Sequence, residues 1–368
     1  MSDLINFLNT HPHNWETLLS NEPYHFLIKH DGPYTMFKYT FGVSDFSYPI
    51  CREARGLIAR QATNGTWICV ARGLDKFFNA MEPQADQIDW QHRLWITEKM
   101  DGSNIRLWYD NDEWHLSTLG LIDAADTIHG KEFLRAVGGW TAIKQDLLPG
   151  ATYIFEMLSP LTRIVCRVPH PIVYFISRRV NEEESGFYAF LHMNVEPLPQ
   201  LQISSLNDAL NYVAGLPENH EGIVVRDQHN HRIKIKSPWY LALHGLRGNG
   251  VCTIKRALKL WQEEKLDDFI GEFPEYKPFI DPILNCLRQL IVAAQTAYTN
   301  LSEYAADAKL FAQQACTYNN MIQKYLFSRR KHPGLTAYDY YRTVSIKSLT
   351  HYVSAHVELQ EYGEEEEN

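Results

Sequence analysis

Paired cysteines are missing from this sequence. Its six cysteines are scattered along 368 residues, and no two of them form a Cys-x-x-Cys pair. This spacing argues against a zinc site and predicts a reducing, cytoplasmic environment. The sixteen histidines do not change that view, because pairs such as His11/His13 and His229/His231 fall in polar stretches typical of surface loops.

Long hydrophobic runs and excess positive charge are missing too. No run approaches transmembrane length, so we expect no membrane association, and the first residues lack the pattern of a secretory signal. The formal net charge is −9, and Glu364 to Glu367 supply four of these charges in what we predict to be a disordered acidic tail at about residues 363–368. Net charge therefore does not favour a nucleic-acid partner, although Arg329 to His332 form a local basic patch.

The apolar content that is present suffices for large cores, since 45% of the residues are hydrophobic and 12% are aromatic. Short β-like runs separated by turns fill residues 23 to 240, with helical stretches near 130–137 and 203–213. Helical spacing then covers 253–269, a long helix from Asp281-Pro282, and a last helix from the capping box Thr336–Asp339 through His351. We therefore predict an α+β domain at residues 1–243, with antiparallel β-sheets and flanking helices, and an all-α C-terminal domain at residues 244–368.

The most informative segment runs from Glu98 to Asn104 and places Lys99 in a glycine turn after the apolar run Leu94-Trp95-Ile96. A lysine amine is protonated at pH 7 unless its surroundings favour the neutral form, and only a neutral amine attacks phosphorus. A reactive lysine therefore needs neighbouring cations or a metal ion. Taken alone, Lys-x-Asp-Gly has an ordinary alternative, a solvated lysine beside a common turn dipeptide.

Two further lysines lie in a predicted strand. Alternation places Lys234 and Lys236 on one face of it, and Ile233 and Ile235 on the other. Two ammonium groups on one face repel each other unless they share an anion, so a phosphate is their natural ligand. The alternative is an edge strand that uses lysines to prevent aggregation.

Single carboxylates occur in two apolar runs, Glu156 within Tyr153–Leu158 and Glu221 before Gly222–Val225. Burying an unpaired carboxylate is costly, so each is predicted to face a metal ion, a hydroxyl or a cation. The alternative is a structural salt bridge.

Two upstream segments combine cations with turns or aromatic side chains. They are Cys51–Leu57, which contains Arg55-Gly56, and Leu74–Asn79, which contains Lys76-Phe77. Such segments suit phosphate contact together with stacking on a base, and the alternative is a pair of surface loops.

Together these segments resemble the covalent nucleotidyltransferase superfamily of ATP-dependent ligases and capping enzymes. The order Lys-x-Asp-Gly, strand Glu, Glu-Gly, Lys-x-Lys is the superfamily pattern. The upstream Arg55-Gly56 and Lys76–Asn79, the segment Lys234–Tyr240 and the helical C-terminal region narrow the resemblance to the tailed-bacteriophage RNA ligase 1 family, ATP-dependent enzymes that reseal cut tRNA. The resemblance implies an N-terminal nucleotidyltransferase (ATP-grasp-like ligase) domain with adenylyltransferase activity, and an all-α RNA-specificity domain after it.

The resemblance also implies roles for single residues. Lys99 would attack the α-phosphate of ATP and carry AMP on its amine, and the implied catalytic set is completed by Lys234, Lys236, Glu156 and Tyr240, the last needed for sealing. The implied nucleotide-binding residues are Tyr39, Arg55, Lys76, Phe77, Asp101, Gly102, Glu156, Glu221, Lys234 and Lys236. The implied ligands of Mg²⁺, which Mn²⁺ can replace, are Glu221 and Asp267, with Asp268 an equal candidate.

The implied partner is RNA with 5′-phosphate and 3′-hydroxyl ends, cleaved tRNA in particular. The implied protein is a monomer in the cytoplasm, which is that of the host if the chain is phage-encoded. One departure from the family matters, because its Ser-Lys-Gly motif is replaced here by Thr118-Leu119-Gly120. Either another cation covers the lost contact, Lys131 being the nearest downstream, or one step is slow. The alternatives are a nucleic-acid end-binding protein that has lost turnover, and a DNA ligase or GTP-using capping enzyme.

Overall fold

The computed structural model describes residues 2–40, 43–161, 168–181, 183–217, 220–238, 240, 253–272, 276–304 and 306–357. The chain divides into two compact units, Met1–His244 and Gly245–Asn368. The predicted acidic tail lies outside the described residues, and so does the side chain of Asp268. Within these ranges, no helix is both long and apolar enough to cross a membrane.

Three β-sheets form the first unit. Sheet I has four antiparallel strands in the order β1-β2-β3-β4: Leu27–Asp31, Tyr34–Lys38, Arg55–Gln61 and Trp67–Ala71. Sheet II has six, with β11-β10-β9-β7-β8 in line and β12 beside β10: β7 Ser103–Asp110, β8 Glu113–Thr118, β9 Thr152–Leu158, β10 Ile172–Val180, β11 Glu183–Ser185 and β12 Glu196–Pro197. Sheet III has the order β5-β14-β13-β6: Phe78–Asn79, Arg232–Lys236, Gly222–Asp227 and Leu94–Lys99.

Helices cover each sheet of this unit. They are α1 Asp3–Thr10, α2 Trp15–Ser20, α3 Pro49–Glu53, α4 Ile128–Val137, α5 Gly139–Asp146 and α6 Leu206–Ala214. Three of them, α1, α2 and α3, share a core with sheet I. The pair α4 and α5 packs on sheet II, and α6 covers sheet III. Each sheet thus buries one face under its own helices, as layered α+β units do.

Local sequence explains several of these elements. Strands β7 and β8 are joined by Asn111 and Asp112, whose φ angles of 49° and 63° form the left-handed turn that a two-residue hairpin requires. The carboxylate of Glu53 accepts hydrogen bonds from the backbone of Asp3 and Leu4, both at 3.0 Å, and so caps the start of α1. Glu53, in a segment predicted to contact phosphate, is therefore a structural residue.

The second unit is helical among its described residues. Its helices are α7 Ile254–Gln262, α8 Leu266–Glu272, α9 Lys277–Asn300, α10 Ala308–Ala315, α11 Asn320–Lys331, α12 Ala337–Thr343 and α13 Ile346–His356, with a 3₁₀ turn at Ser302–Tyr304. Edge-to-face packing of Trp261 on Tyr338, with ring centroids 5.5 Å apart, is part of its core. The α+β first unit and the helical second unit confirm the predicted fold class.

Three helix predictions need correction. The predicted helix 253–269 is broken after α7, where Glu264 has a φ of 58° and pairs with the guanidinium of Arg342. The long helix begins at Lys277 rather than at Asp281, because Pro278 already occupies the first turn and Pro282 lies inside the helix. The last predicted helix is two helices, since Ser345 caps α13 through the backbone N–H of Ser348.

Candidate active site

Sheet III brings the ends of three sequence segments side by side. Lys99 is the last residue of β6, and its strand partner is Gly222 at the start of β13. Gly222 is also paired with Lys236, the last residue of β14. One register position therefore aligns Lys99, Gly222 and Lys236 across three neighbouring strands, although the sequence separates them widely.

Glu221 links the two lysines. The amine of Lys99 donates a hydrogen bond of 2.8 Å to Oε2 of Glu221. The amine of Lys236 lies 3.4 Å from Oε1 of the same carboxylate, an ion pair without hydrogen-bond geometry. The side chains of Glu221 and Lys236 are 1% and 2% exposed, whereas that of Lys99 is 20% exposed. The lysine predicted to be the nucleophile is thus the member of the trio that stays open to a ligand.

Gly222 allows this close assembly. Its φ is 147°, and a Cβ atom there would lie 2.0 Å from the carbonyl oxygen of Ile235 on β14. No side chain fits that gap, so glycine is required beside Glu221 for the strand pairing that aligns the two lysines.

Strand β14 lies inside sheet III, between β5 and β13, so its lysines do not protect an edge. Ile233 and Ile235 belong to the core under α6, as alternation predicts. On the opposite face, the amine of Lys234 lies 5.9 Å from the ring centre of Phe77. The guanidinium of Arg55 approaches the same ring at 5.4 Å. The ring of Phe77 therefore lies near two of the predicted phosphate-binding cations.

Lys76 is buried among aromatic rings, with its amine 5.7 Å from the ring centre of Tyr39 and 5.3 Å from that of Phe78. Phe46 adds a third ring at 5.7 Å. The neighbouring Asp75 is a structural residue: burial by itself would raise the pKa of its carboxyl, but Arg179 and Arg72 lower it.

Glu156 lies on β9 and approaches the Lys99 trio from sheet II. Its strand partner on β7 is Asn104, whose amide nitrogen is 3.5 Å from Oε2 of Glu156. Burial raises the pKa of Glu156 against the opposing attraction of Lys99, and the charge of Glu221 raises it further. The carboxylates of Glu156 and Glu221 therefore both act on the partly exposed amine of Lys99.

Tyr240 and Asp101 are joined by a buried hydrogen bond, in which the tyrosine hydroxyl donates to Oδ1 of Asp101 at 2.7 Å. The ring of Tyr240 also lies under the amine of Lys236, at 5.3 Å. Gly102 packs closely against β9 of sheet II, because a Cβ atom at Gly102 would be 2.5 Å from the carbonyl oxygen of Met157. Asp101 and Gly102 therefore connect the turn after Lys99 to Tyr240 and to β9. These tertiary contacts cannot be inferred from turn propensity alone.

The loop with the unusual Leu119 contacts two lysines that the sequence did not single out. The amine of Lys29 donates to the carbonyl of Gly120 at 2.8 Å. The amine of Lys38 lies 3.9 Å from the position that a Cβ atom would take at Gly120. Lys131, the substitute expected from the sequence, is 60% exposed and lies 3.5 Å from Asp126. The structure therefore gives no support to Lys131.

The first-unit carboxylates Glu221 and Glu156 are compatible with a divalent cation. Among the described residues, Oε1 of Glu221 is buried and accepts no hydrogen bond. Glu156 lies within electrostatic reach of it. No group of three or more His, Cys, Asp or Glu side chains is arranged for metal binding in the described part of the chain. A site with few protein oxygens suits Mg²⁺, which keeps several waters and phosphate oxygens as ligands. Asp267 lies on α8 of the second unit and remains a predicted ligand.

Comparison with known proteins identifies the family of this chain. A family model described as RNA ligase matches residues 53–240. The chain is 29% identical over 281 residues to a protein of Autographa californica nuclear polyhedrosis virus named as a bifunctional polynucleotide kinase/RNA ligase, covering 70% of this chain and 39% of that protein. It is 26% identical over 317 residues to the RNA ligase of Rhodothermus phage RM378, covering 66% of this chain and 71% of the phage protein.

Among solved structures, an archaeal ATP-dependent RNA ligase has 15% identity and a TM-score of 0.44, covering 76% of this chain and 78% of that one. The chain spans well under half of the Autographa virus protein but most of the phage protein. The segment matched by the family model is about half of the 368 residues and includes Lys99, Glu156, Glu221, Lys234, Lys236 and Tyr240. The sequence-based prediction of the family is therefore confirmed, and this chain belongs to the RNA ligase family.

Proposed function

We propose that this protein is an ATP-dependent RNA ligase that joins 5′-phosphate and 3′-hydroxyl RNA ends through a lysyl–AMP intermediate. The observation that carries the proposal is the Lys99–Glu221–Lys236 trio, whose two lysines lie at one register position of sheet III on either side of Gly222. An exposed surface lysine, the ordinary alternative for Lys-x-Asp-Gly, would not be hydrogen-bonded to a buried carboxylate.

In the first step, the amine of Lys99 attacks the α-phosphorus of ATP. A nitrogen–phosphorus bond forms, the bond from the α-phosphorus to the bridging oxygen breaks, and pyrophosphate leaves. The amine must lose a proton to attack, and Oε2 of Glu221 is the acceptor at 2.8 Å. Lys236 and Lys234 provide the positive charge that stabilises the transition state, because both are buried and fixed on β14.

The remaining predicted residues bind the nucleotide. Arg55 and Lys76 supply further cations, and Tyr39 and Phe77 supply aromatic faces close to them. Asp101 and Gly102 fix the turn that directs Lys99, and Tyr240, which follows β14 in the chain, supports that turn. Mg²⁺, or Mn²⁺ in its place, supplies Lewis-acid neutralisation of phosphate charge when bound. Glu221 and Glu156 are the first-unit residues that would hold it, and a metal-ligand role of Asp267 stays a prediction from the sequence.

Two later steps use the same cations. The 5′-phosphate of RNA attacks the α-phosphorus of lysyl–AMP and displaces Lys99, giving RNA-adenylate. The RNA 3′-hydroxyl then attacks the activated 5′-phosphorus, forming a phosphodiester and releasing AMP. Each step is a displacement at phosphorus, so one arrangement of positive charge and orientation serves all three.

The test is labelling with α-³²P-ATP and a divalent cation. We expect acid-stable label on the wild-type protein and none on Lys99→Ala. Lys131→Ala, which changes an exposed lysine, is the matched control and should label normally. Absence of label on the wild type would overturn the ligase proposal in favour of an end-binding protein without turnover.

The substrate is tested separately. We expect circularisation of a 5′-phosphorylated RNA and poor sealing of nicked duplex DNA, with ATP preferred over GTP in competition for the label. Preferential sealing of nicked DNA would instead indicate a DNA ligase. The second unit is proposed as the RNA-specificity domain of a monomeric tRNA-repair enzyme, and sealing rates across a panel of cleaved tRNAs compared with unstructured RNA would test this.

A further inference from the structure

Positive side chains gather where sheet I meets the loop Thr118–Gly120. Lys38, the last residue of β2, is paired across the strands with Arg55 at the start of β3. Gly56 follows, and a Cβ atom there would lie 3.0 Å from the carbonyl oxygen of Leu119. The guanidinium of Arg106 donates to the carbonyls of Gly56 and Thr118. Lys38 and Arg106 therefore lie beside this loop, and Arg55 lies within electrostatic reach of Arg106.

Lys38 is directed towards this loop by the backbone. The pairing of β2 with β3 shifts register between Phe37 and Lys38, a bulge of the kind that redirects a side chain near functional sites. Lys38 is 8% exposed, which is unusual for lysine. Its sequence neighbour Tyr39 packs against Lys76. Lys38 thus lies between two residues of the proposed nucleotide site, Tyr39 along the chain and Arg55 across the strand.

Repulsion between Arg55 and Arg106 favours binding of an anion near them. Burial, together with repulsion from Arg55, lowers the pKa of Arg106 to about 9. The charge of Arg55 also reaches Glu156, beside Lys99. A group that carries several negative charges would relieve this repulsion, and phosphate is the group that the proposed reaction brings to the site.

We propose that Lys38 is a phosphate-binding residue of this site, supplying from β2 the positive charge that Leu119 does not carry. The ligand is a phosphate group, either in the triphosphate of ATP or at the 5′ end of RNA, and the inference rests on the proposed ligase function. Lys38 is a better candidate than Lys29, because Lys38 is paired with Arg55 and adjoins Tyr39, whereas Lys29 lies on β1 opposite Met36. It is better than Lys131, which is exposed beside Asp126.

The first test measures ATP binding without chemistry. Equilibrium binding of ATP is compared between Lys99→Ala and the double variant Lys99→Ala/Lys38→Met, which keeps the aliphatic stem and removes the charge. Loss of a charge-assisted contact to phosphate is expected to weaken binding about 10- to 100-fold. Adding Lys131→Ala instead of Lys38→Met should leave the dissociation constant unchanged. This measurement does not depend on turnover, so it separates the role of Lys38 from the ligase activity itself.

The second test moves the positive charge from position 38 to position 119. In a protein that retains Lys99, we expect the single substitution Lys38→Met to raise the KM for ATP in the labelling of Lys99 more than it lowers kcat. Leu119→Lys, introduced into Lys38→Met, should restore at least part of the loss, which a purely structural role of Lys38 would not allow. A separate measurement follows the transfer of AMP from the labelled enzyme to 5′-phosphorylated RNA. If Lys38→Met slows this transfer alone, the ligand of Lys38 is the 5′-phosphate of RNA rather than the triphosphate of ATP. Unchanged ATP binding and unchanged transfer would overturn the proposal.

Discussion

The hydroxyl of Tyr240 supports the acidic residue of the turn that follows Lys99. It donates to Asp101 at 2.7 Å, and Tyr240 and Asp101 are 0% and 5% exposed. Tyr240→Phe removes a donor from a buried carboxylate, which costs about 1–3 kcal/mol. We expect a lower free energy of unfolding and slower labelling of Lys99, measured by chemical denaturation and by α-³²P-ATP labelling.

Tyr153→Phe is the matched control for this substitution. Tyr153 is also fully buried, and its hydroxyl accepts from the backbone N–H of Leu148 at 3.0 Å, away from Lys99. This variant should lose stability and label at the wild-type rate once folded. Equal labelling by Tyr240→Phe and Tyr153→Phe would contradict a positioning role for Tyr240.

Glu156 gives a prediction about pH. Burial raises the pKa of its carboxyl above the ordinary value of 4.5, so the folded state binds its proton more tightly than the unfolded state does. Stability is therefore lost as the pH rises from that ordinary value through the raised one. Glu156→Gln removes this cost, and we expect its Tm, measured without nucleotide or divalent cation, to exceed that of the wild type near pH 7.

The gain in Tm should shrink as the pH falls towards 4, where the carboxyl is protonated in both states. Labelling of Lys99 should decrease in the same variant, because the carboxylate proposed to contact nucleotide and metal is gone. A lower Tm of Glu156→Gln at pH 7 would show that attraction to Lys99 outweighs burial.

The clustering of charged side chains around Lys99 was predictable from the sequence, but which of the neighbouring side chains are structural was not. Lys99, Glu221 and Lys236 were singled out, and they meet at one site. Within the same upstream segments, however, Glu53 caps a helix and Asp75 pairs with arginines. Lys38 carried no signal, because its position depends on a bulge and on a loop far along the chain.

At the level of elements, strand pairing around Gly222 controls the site. Gly222→Ala places a Cβ atom 2.0 Å from the carbonyl oxygen of Ile235, so β13 and β14 must separate. Overpacking of this kind costs about 1–3 kcal/mol or more, and the strained φ adds to it. We expect a strong loss of stability and no labelling of Lys99, measured by thermal unfolding and α-³²P-ATP.

Gly65→Ala is the control for backbone strain alone. Gly65 has a φ of 82°, but nothing lies within 4 Å of a Cβ atom there. We expect a loss of about 1 kcal/mol with labelling retained. If both variants labelled equally, the register at Gly222 would not determine the site.

Strands were easier to predict than helix ends for a physical reason. Alternation along β14 is a local property, and it placed Ile233 and Ile235 in the core correctly. The break after α7 depends instead on Arg342, which donates to the carbonyl of Gln262 at 3.1 Å from another helix. Such tertiary capping leaves no trace in the local pattern.

For the whole molecule, the division into two compact units predicts that labelling of Lys99 can be separated from RNA sealing. The unit Met1–His244 has its own cores under each sheet and contains the Lys99–Glu221–Lys236 trio. We expect a fragment of residues 1–244 to fold and to form labelled lysine, measured by circular dichroism and α-³²P-ATP, with RNA sealing reduced relative to the full chain. The same fragment carrying Lys99→Ala is the control. A folded fragment that does not label would mean that the second unit is needed for the first step.

Because Lys99 and Lys236 are aligned on either side of Gly222, AMP transfer to Lys99 also reports whether the strands of sheet III have refolded in the correct register. A slip of one residue in β14 would turn Lys236 to the opposite face of the sheet, while the content of β-structure hardly changed. After dilution from denaturant, circular dichroism would then recover in correctly and incorrectly paired molecules alike. Recovery of AMP transfer to Lys99 would count the correctly paired ones alone, so the difference between the two yields reports how often this sheet pairs out of register.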